Sequence, residues 1–300
     1  MIPAFLGQGQ RQGVIFMLLT FILWGFSPVY LSAVGYASAW ELWALRSLLF
    51  VPFMTLYITW AKQWPEVLSL IRHRKRFWYT CLSAVLMASN NIIFMYIVSI
   101  GKALECSLSN FILPLMNISF GVLLFRERLN SWQWFSVLLA VLGVTALGLT
   151  TGEPPKYAIY IAILFAAYGA AHKAAGLSAL SSSFLEMVLA VPLALVVLLV
   201  LHSKNLIVFG HLTFKHDALL LFSVVFFLPG YLMYNQAVKL VDFTIIGFGQ
   251  YITPTLQFIF AITILNEFFS WPMFFCYLII WLALAIFSLA TFSKPNQALG

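Results

Sequence analysis

The sequence predicts an all-α membrane protein, with ten transmembrane helices arranged as two inverted five-helix repeats and both termini on the cytoplasmic side. Composition is the first ground. Of 300 residues, 63% are hydrophobic and 8% charged, against about a quarter charged in soluble domains. A chain so poor in charge cannot cover a surface in water, so lipid is its solvent. The second ground is segmentation into apolar stretches at 13–33, 41–60, 77–98, 103–125, 132–150, 157–174, 180–201, 218–238, 243–265 and 272–292. Most approach the roughly 20 residues that cross a bilayer as helix. They are continuous rather than alternating with period two, which excludes a membrane β-barrel. The third is a repeat of register. LECSLSNFILPLMNISFGVLLFRE, Leu104 to Glu127, overlies TIIGFGQYITPTLQFIFAITILNE, Thr244 to Glu267, at a shift of 140 positions without a gap. Pro114 falls on Pro254, Asn110 on Gln250, Asn117 on Gln257 and Glu127 on Glu267.

In chain order, Arg11 precedes a stretch that is longer than the apolar core of a signal peptide and contains Trp24 and Pro28. It is expected to be kept as the first span. Ten crossings place the termini together. With the N-terminus inside, Arg11, Lys62, Arg72, Arg74, Lys75, Arg76, Arg126, Arg128, Lys173, Lys239 and Lys294 lie in or beside inner links, and only Lys102, Lys156, Lys204 and Lys215 lie outside. That excess predicts cytoplasmic termini. It also explains the charge of +7 without a nucleic-acid partner. Gly152, Pro154 and Pro155 in the link 151–156 divide the chain into halves 13–150 and 157–292. Five helices per half oblige the second copy to enter from the opposite face, a construction used by secondary transporters. The loop His202 to Asp217 is polar, and its scattered histidines read as solvated residues rather than a metal site.

Polar groups in hydrocarbon are costly and usually face a bundle interior or a water path. Pro114 and Pro254 each remove a backbone donor, and the freed carbonyls either line a path or shape packing. Asn110 and Asn117 are seven apart on one helix face, as are Gln250 and Gln257. With Asn90, Asn91, Asn235 and Gln236 they make a polar seam, of which some members are helix–helix glue. Glu105 is either a first-turn carboxylate favoured by the helix dipole or a proton carrier. Arg46 lies within a span, five residues from Glu41 and on a different face, so the two are not a natural pair. Glu186 stands in the second half where Glu41 stands in the first. Trp24, Tyr168 and Tyr251 either stack on a flat substrate or pack. Glu127 and Glu267, at helix exits, are expected to make structural inter-helix bonds.

The chain has no HExxH, GxSxG or GxxxxGK[ST] motif. No enzyme chemistry, cofactor or metal is therefore expected, and any pumping would draw on a proton gradient or an exchanged metabolite. Three cysteines without a CxxC read as buried apolar side chains. The competing class, a membrane-embedded enzyme or lipid-binding protein without transport, would want a cluster of nucleophile, base or metal ligands at one interface. Ala140, Gly143 and Gly148 would permit close helix contact, either in a homodimer or within one bundle.

FILWGFSPVY, LECSLSNFILPLMNISFGVLLFRERL, AYGAAHK and GFGQYITPTLQF resemble the RarD-type branch of the EamA transporters, in the drug/metabolite transporter superfamily. The resemblance covers about 13–292. It implies a ten-helix inverted repeat in the bacterial inner membrane, with a central cavity between two four-helix lobes. It also implies export or exchange of amino acids, drug-like amphipathic compounds or related small metabolites. The family's Trp-Gly-x-x-Pro falls on Trp24, Gly25 and Pro28, its helix-two Glu and Arg on Glu41 and Arg46, and its helix-three Asn on Asn90. Its helix-four Glu falls on Glu105, and its Gln-Tyr-x-x-Pro-Thr on Gln250, Tyr251, Pro254 and Thr255. Leu45, Asn91 and His172 replace the family's His, Trp and Arg.

Overall fold

The computed structural model describes residues 8–100, 103–149, 156–176, 179–264 and 271–292. Every element among them is an α-helix: α1 Gln8–Gly25, α2 Ser27–Ala33, α3 Ala39–Trp60, α4 Trp64–Arg72, α5 Arg74–Ser99, α6 Ala103–Phe125, α7 Ser131–Leu149, α8 Lys156–Ala175, α9 Ala179–Ser203, α10 Phe214–Leu240, α11 Phe243–Gln250, α12 Ile252–Thr263 and α13 Trp271–Phe292. Eight helical stretches of described residues are long and apolar enough to cross a membrane, with α1 and α2 counted as one. Two expected spans fall outside that set. The stretch 157–174 forms α8, whose last turn carries His172 and Lys173. The stretch 243–265 is divided at Tyr251 into pieces of 8 and 12 residues.

Local sequence explains the breaks. Pro28 stands in the first turn of α2, where its missing N–H costs nothing, but it leaves the carbonyl of Trp24 without its i+4 donor. The two prolines expected to act alike do not. Pro114 lies inside an unbroken α6, whereas Pro254 sits in the first turn of α12, just past the break. The second copy has Gly247 and Gly249 where the first has Ser107 and Ser109, and glycine weakens a helix interior. One helix was not expected. The short α4 is amphipathic, burying Val67 and Leu70 against Met54, Ile58, Phe184 and Leu185 and exposing Glu66 and Arg72. At the start of α7, Asn130 and Gln133 cap one another reciprocally, each side-chain oxygen taking the other's backbone N–H at 2.9 Å.

The main helix pairs are α1 with α10, α3 with α9, α5 with α8, α6 with α8 and with α11, α7 with α13, and α1 with α12. Gly143 permits the α7–α13 approach, since a Cβ there would meet Ile280 at 2.8 Å. Ala140 and Gly143 are thus used within the chain. One apolar core joins α1, α8, α10 and α11 around Phe21, Tyr168, Tyr234 and Phe243. Another joins α6, α7, α11 and α13 around Phe111, Val144, Phe248 and Ile280. Leu56, Leu123, Leu199 and Leu289 stand exposed on the flanks, as lipid-facing side chains do.

Candidate functional site

The repeated helices meet at a line of paired amides. Asn117 Nδ2 of α6 donates to Gln250 Oε1 at the end of α11. Asn110 Nδ2, two turns away, donates to Gln257 Oε1 of α12 at 3.3 Å. The seven-residue spacings put both members of each helix on the contact face. Gly247 allows the approach, because a Cβ there would stand 2.7 Å from the Pro114 carbonyl oxygen and 2.9 Å from Ile118. Gln257 Nε2 also reaches the Trp24 carbonyl at 3.4 Å and Ser27 Oγ at 3.2 Å. The carbonyl freed by Pro28 is thereby engaged by an amide of the seam. Asn117 Oδ1 is buried without a partner.

A second polar assembly lies where the start of α9 meets the start of α5 and the ends of α8 and α10. Its centre is Glu186, buried at 3% exposure. Ser83 Oγ donates to Oε1, which also contacts His172 Nε2 at 2.6 Å. Tyr231 and Tyr168 donate to Oε2, the latter at 3.3 Å. The single Tyr168 O–H is shared with the nearer Asn235 Oδ1 at 2.8 Å, and Asn235 Nδ2 donates to Ser183 at 2.7 Å. At the same end Glu127, beyond α6, accepts from the N–H groups of Phe243 and Thr244 at 2.7 and 2.8 Å. It also receives Lys173 Nζ at 3.0 Å. Burial pushes the Glu127 carboxyl up, but Thr244, Lys173 and Phe243 outweigh it and hold the group below the usual carboxylate range. Neighbouring Asp242 is pushed up by desolvation and by the charge of Glu127, despite Lys173. Glu127 therefore makes the inter-helix bond expected of it, while Glu267 lies outside the described residues.

At the opposite end Glu41 Oε1 accepts the N–H groups of Val208 and Phe209 at 2.9 and 2.7 Å, pinning the 204–213 loop to α3. Arg46, half-buried, lays its guanidinium 4.5 Å from the centre of the Phe227 ring. Among the described residues it has no carboxylate at ion-pair distance. Trp24 packs with Phe21, Phe165 and Tyr234. Asn90 donates across to the Ile161 carbonyl at 2.9 Å. Tyr251 is buried beside Phe248 with its hydroxyl unpartnered. The side chain of Glu105 lies outside the described residues.

Residues 11–149 match the EamA-like transporter family. Protein RarD of Salmonella typhi is 32% identical over 277 residues, covering 92% of this chain and 94% of its own. The chain belongs to the EamA-like transporter family. An uncharacterized transporter of Vibrio cholerae is 30% identical over 281 residues, 94% of this chain and 93% of that protein. A solved crystal structure shares the fold, with a TM-score of 0.72 at 15% identity over 93% of this chain and 98% of its own. In this EamA-like chain Gly25 brings α1 against α12, where a Cβ would meet Leu256 at 2.7 Å. Gly169 does the same for α8, with Tyr234 at 2.5 Å and Phe243 at 2.9 Å. Sequence reasoning placed Tyr168 and Asn235 near a path, but it marked Glu186 only as the counterpart of Glu41 and His172 only as a departure from the family, without Ser83 or Tyr231. The signal was present: a carboxylate in an apolar span is a functional candidate by default.

Proposed function

We propose that this chain is a secondary transporter of a small metabolite, an amino acid or a drug-like amphipathic compound, working by alternating access in the bacterial inner membrane. Its halves, 13–150 and 157–292, act as inverted five-helix repeats, with both termini cytoplasmic. The observation that carries the reading is the pair of amide bonds. A shift of 140 turns the pair Asn110–Gln257 into Gln250–Asn117, so each pair of residues is the image of the other, with the asparagine donating in both. The packing follows the same exchange. The pairs α3–α9, α6–α11 and α7–α13 map onto themselves, and α5–α8 maps onto α10–α1. Two halves rocking about such an axis expose a central path to one side and then to the other.

With the N-terminus inside, the Glu186 and Glu127 assemblies form a latch at the cytoplasmic end. Substrate contacts fall to Trp24, Arg46, Asn90, Glu105, Asn110, Pro114, Asn117, Tyr168, Asn235, Gln250, Tyr251, Pro254 and Gln257. Arg46, a fixed cation with no carboxylate at ion-pair distance among the described residues, suits a substrate carboxylate. Metabolite profiling inside and outside cells tests the proposal, comparing wild type, deletion and Arg46→Met at equal membrane abundance. One compound class is expected to redistribute with wild type alone. Identical profiles in wild type and deletion on media of varied composition would refute it.

A further inference from the structure

We infer that Glu186 and His172 together form a proton-carrying site, and that a proton taken up there loosens the latch that joins α9 to α5, α8 and α10. The consequence for coupling rests on the transport reading; the site itself does not.

The ionised Glu186 carboxylate is ringed by hydrogen-bonding groups, two of them shared with other acceptors. It offers about four lone-pair positions and meets four groups, Ser83, His172, Tyr168 and Tyr231, from three helices. His172 fills its place as a donor only when Nε2 carries the hydrogen. Its other nitrogen, Nδ1, is buried with no partner. In the neutral Nε2–H tautomer that leaves an idle acceptor. In the imidazolium it leaves an unpaired buried N–H. With neutral His172 the cluster holds one negative charge, and one proton removes it. The two groups touch at 2.6 Å, so a proton taken up by either is shared across one hydrogen bond.

The proton has to change the bonding. On Glu186 it converts an acceptor into an O–H donor that faces groups already donating. Two of those groups have somewhere else to turn. Ser83 Oγ lies 3.0 Å from the Thr80 carbonyl of its own helix, and Tyr168 lies 2.8 Å from Asn235 Oδ1. Protonated and ionised clusters can therefore both be bonded, in two discrete arrangements that differ in how tightly α9 is held. That is what a bistable element requires.

Among the described residues nothing else near Glu186 competes for the role. The titratable groups that reach it are His172 and Tyr168 on α8 and Tyr231 on α10. From α5 comes only the Ser83 hydroxyl. From α4, Val67 and Leu70 pack on the residues beside it. On α3, Glu41 is engaged at Phe209 and Arg46 at Phe227. Lys173, next to His172, is turned to Glu127.

The test uses the full chain reconstituted in liposomes. Infrared spectra are taken from about pH 8 to about pH 5, the range in which histidine-linked groups change charge. Wild type is expected to show a carboxylic-acid C=O band growing as pH falls, absent from Glu186→Gln. In His172→Arg, where a permanent cation faces Glu186, the band is expected to vanish over the same range at unchanged helix content. With the compound identified by profiling, an inward pH gradient is expected to stimulate wild-type movement at least tenfold and Glu186→Gln less than twofold. A wild-type band that is missing, or is unchanged in both variants, overturns the site. Full gradient stimulation in Glu186→Gln overturns the coupling while transport stands. If the band titrates as described and no compound moves, the site is upheld and the transport reading falls.

Discussion

Removing the Glu127 carboxylate should loosen the chain more than removing the cation it binds. Glu127 receives two backbone N–H groups, the Thr244 hydroxyl and Lys173 Nζ. Its side chain is 13% exposed and that of Lys173 19%, so water screens the clamp only in part. Charge-assisted hydrogen bonds contribute about 1.5–3 kcal/mol each, and stripping one partner from a buried pair costs about 3–5 kcal/mol. With partial exposure, Glu127→Ala should cost about 3 kcal/mol. Lys173→Met should cost about 1–2 kcal/mol, because Glu127 keeps three donors. At roughly 2–4 °C per kcal/mol for large domains, the unfolding midpoint in detergent should fall by about 6–12 °C for the alanine variant and by less for the methionine variant. The pH dependence has a sign. A carboxyl held below its ordinary value contributes fully above the unfolded pKa, about 4.3, and the contribution fades as pH falls through the folded value. The gap between wild type and Glu127→Ala should therefore narrow below about pH 4. A midpoint for Glu127→Ala within about 1 °C of wild type, at a precision set by the scale above, would refute the clamp.

Asn117→Leu should leave the Gln250 amide buried and unpaired, at a cost of about 1–3 kcal/mol. The double variant with Gln250→Leu should be less destabilised than the sum of the singles, which a double-mutant cycle on thermal midpoints would register. Gly247→Ala should drive a methyl into the Pro114 carbonyl and cost about 1–3 kcal/mol. Glu41→Ala should release the 204–213 loop, raising its rate of protease nicking at least about tenfold from the loss of two charge-assisted bonds.

Segmentation into apolar helices was legible because lipid leaves a chain few alternatives: backbone groups must bond within the segment. The matched amides were legible as well, since 110 with 117 and 250 with 257 each recur at a helical interval on one face. Their pairing with each other was not, because nothing in either helix names its neighbour. Glu186 was visible as a residue but not as a centre. Its four partners come from three helices, and no local spacing links Ser83, His172 and Tyr231. The break at Tyr251 was missed for a different reason. Pro114 and Pro254 look equivalent in the alignment of the halves, and the difference lies in Gly247 and Gly249, which weaken only the second helix. The amphipathic α4 was hidden by its length, nine residues, below any window that seeks a membrane span.

The amide pairs also constrain how the chain can be made. Asn117 and Gln250 are separated by 133 residues and Asn110 and Gln257 by 147. At about 5–20 residues per second of synthesis, α6 enters the bilayer roughly 7–30 s before its partners exist. Throughout that interval two carboxamides lie in or near hydrocarbon with no acceptor of their own. The first half is thus born incomplete, and its early helices have to stay loosely associated, or close to the insertion machinery, until the second half arrives to fill the vacancies.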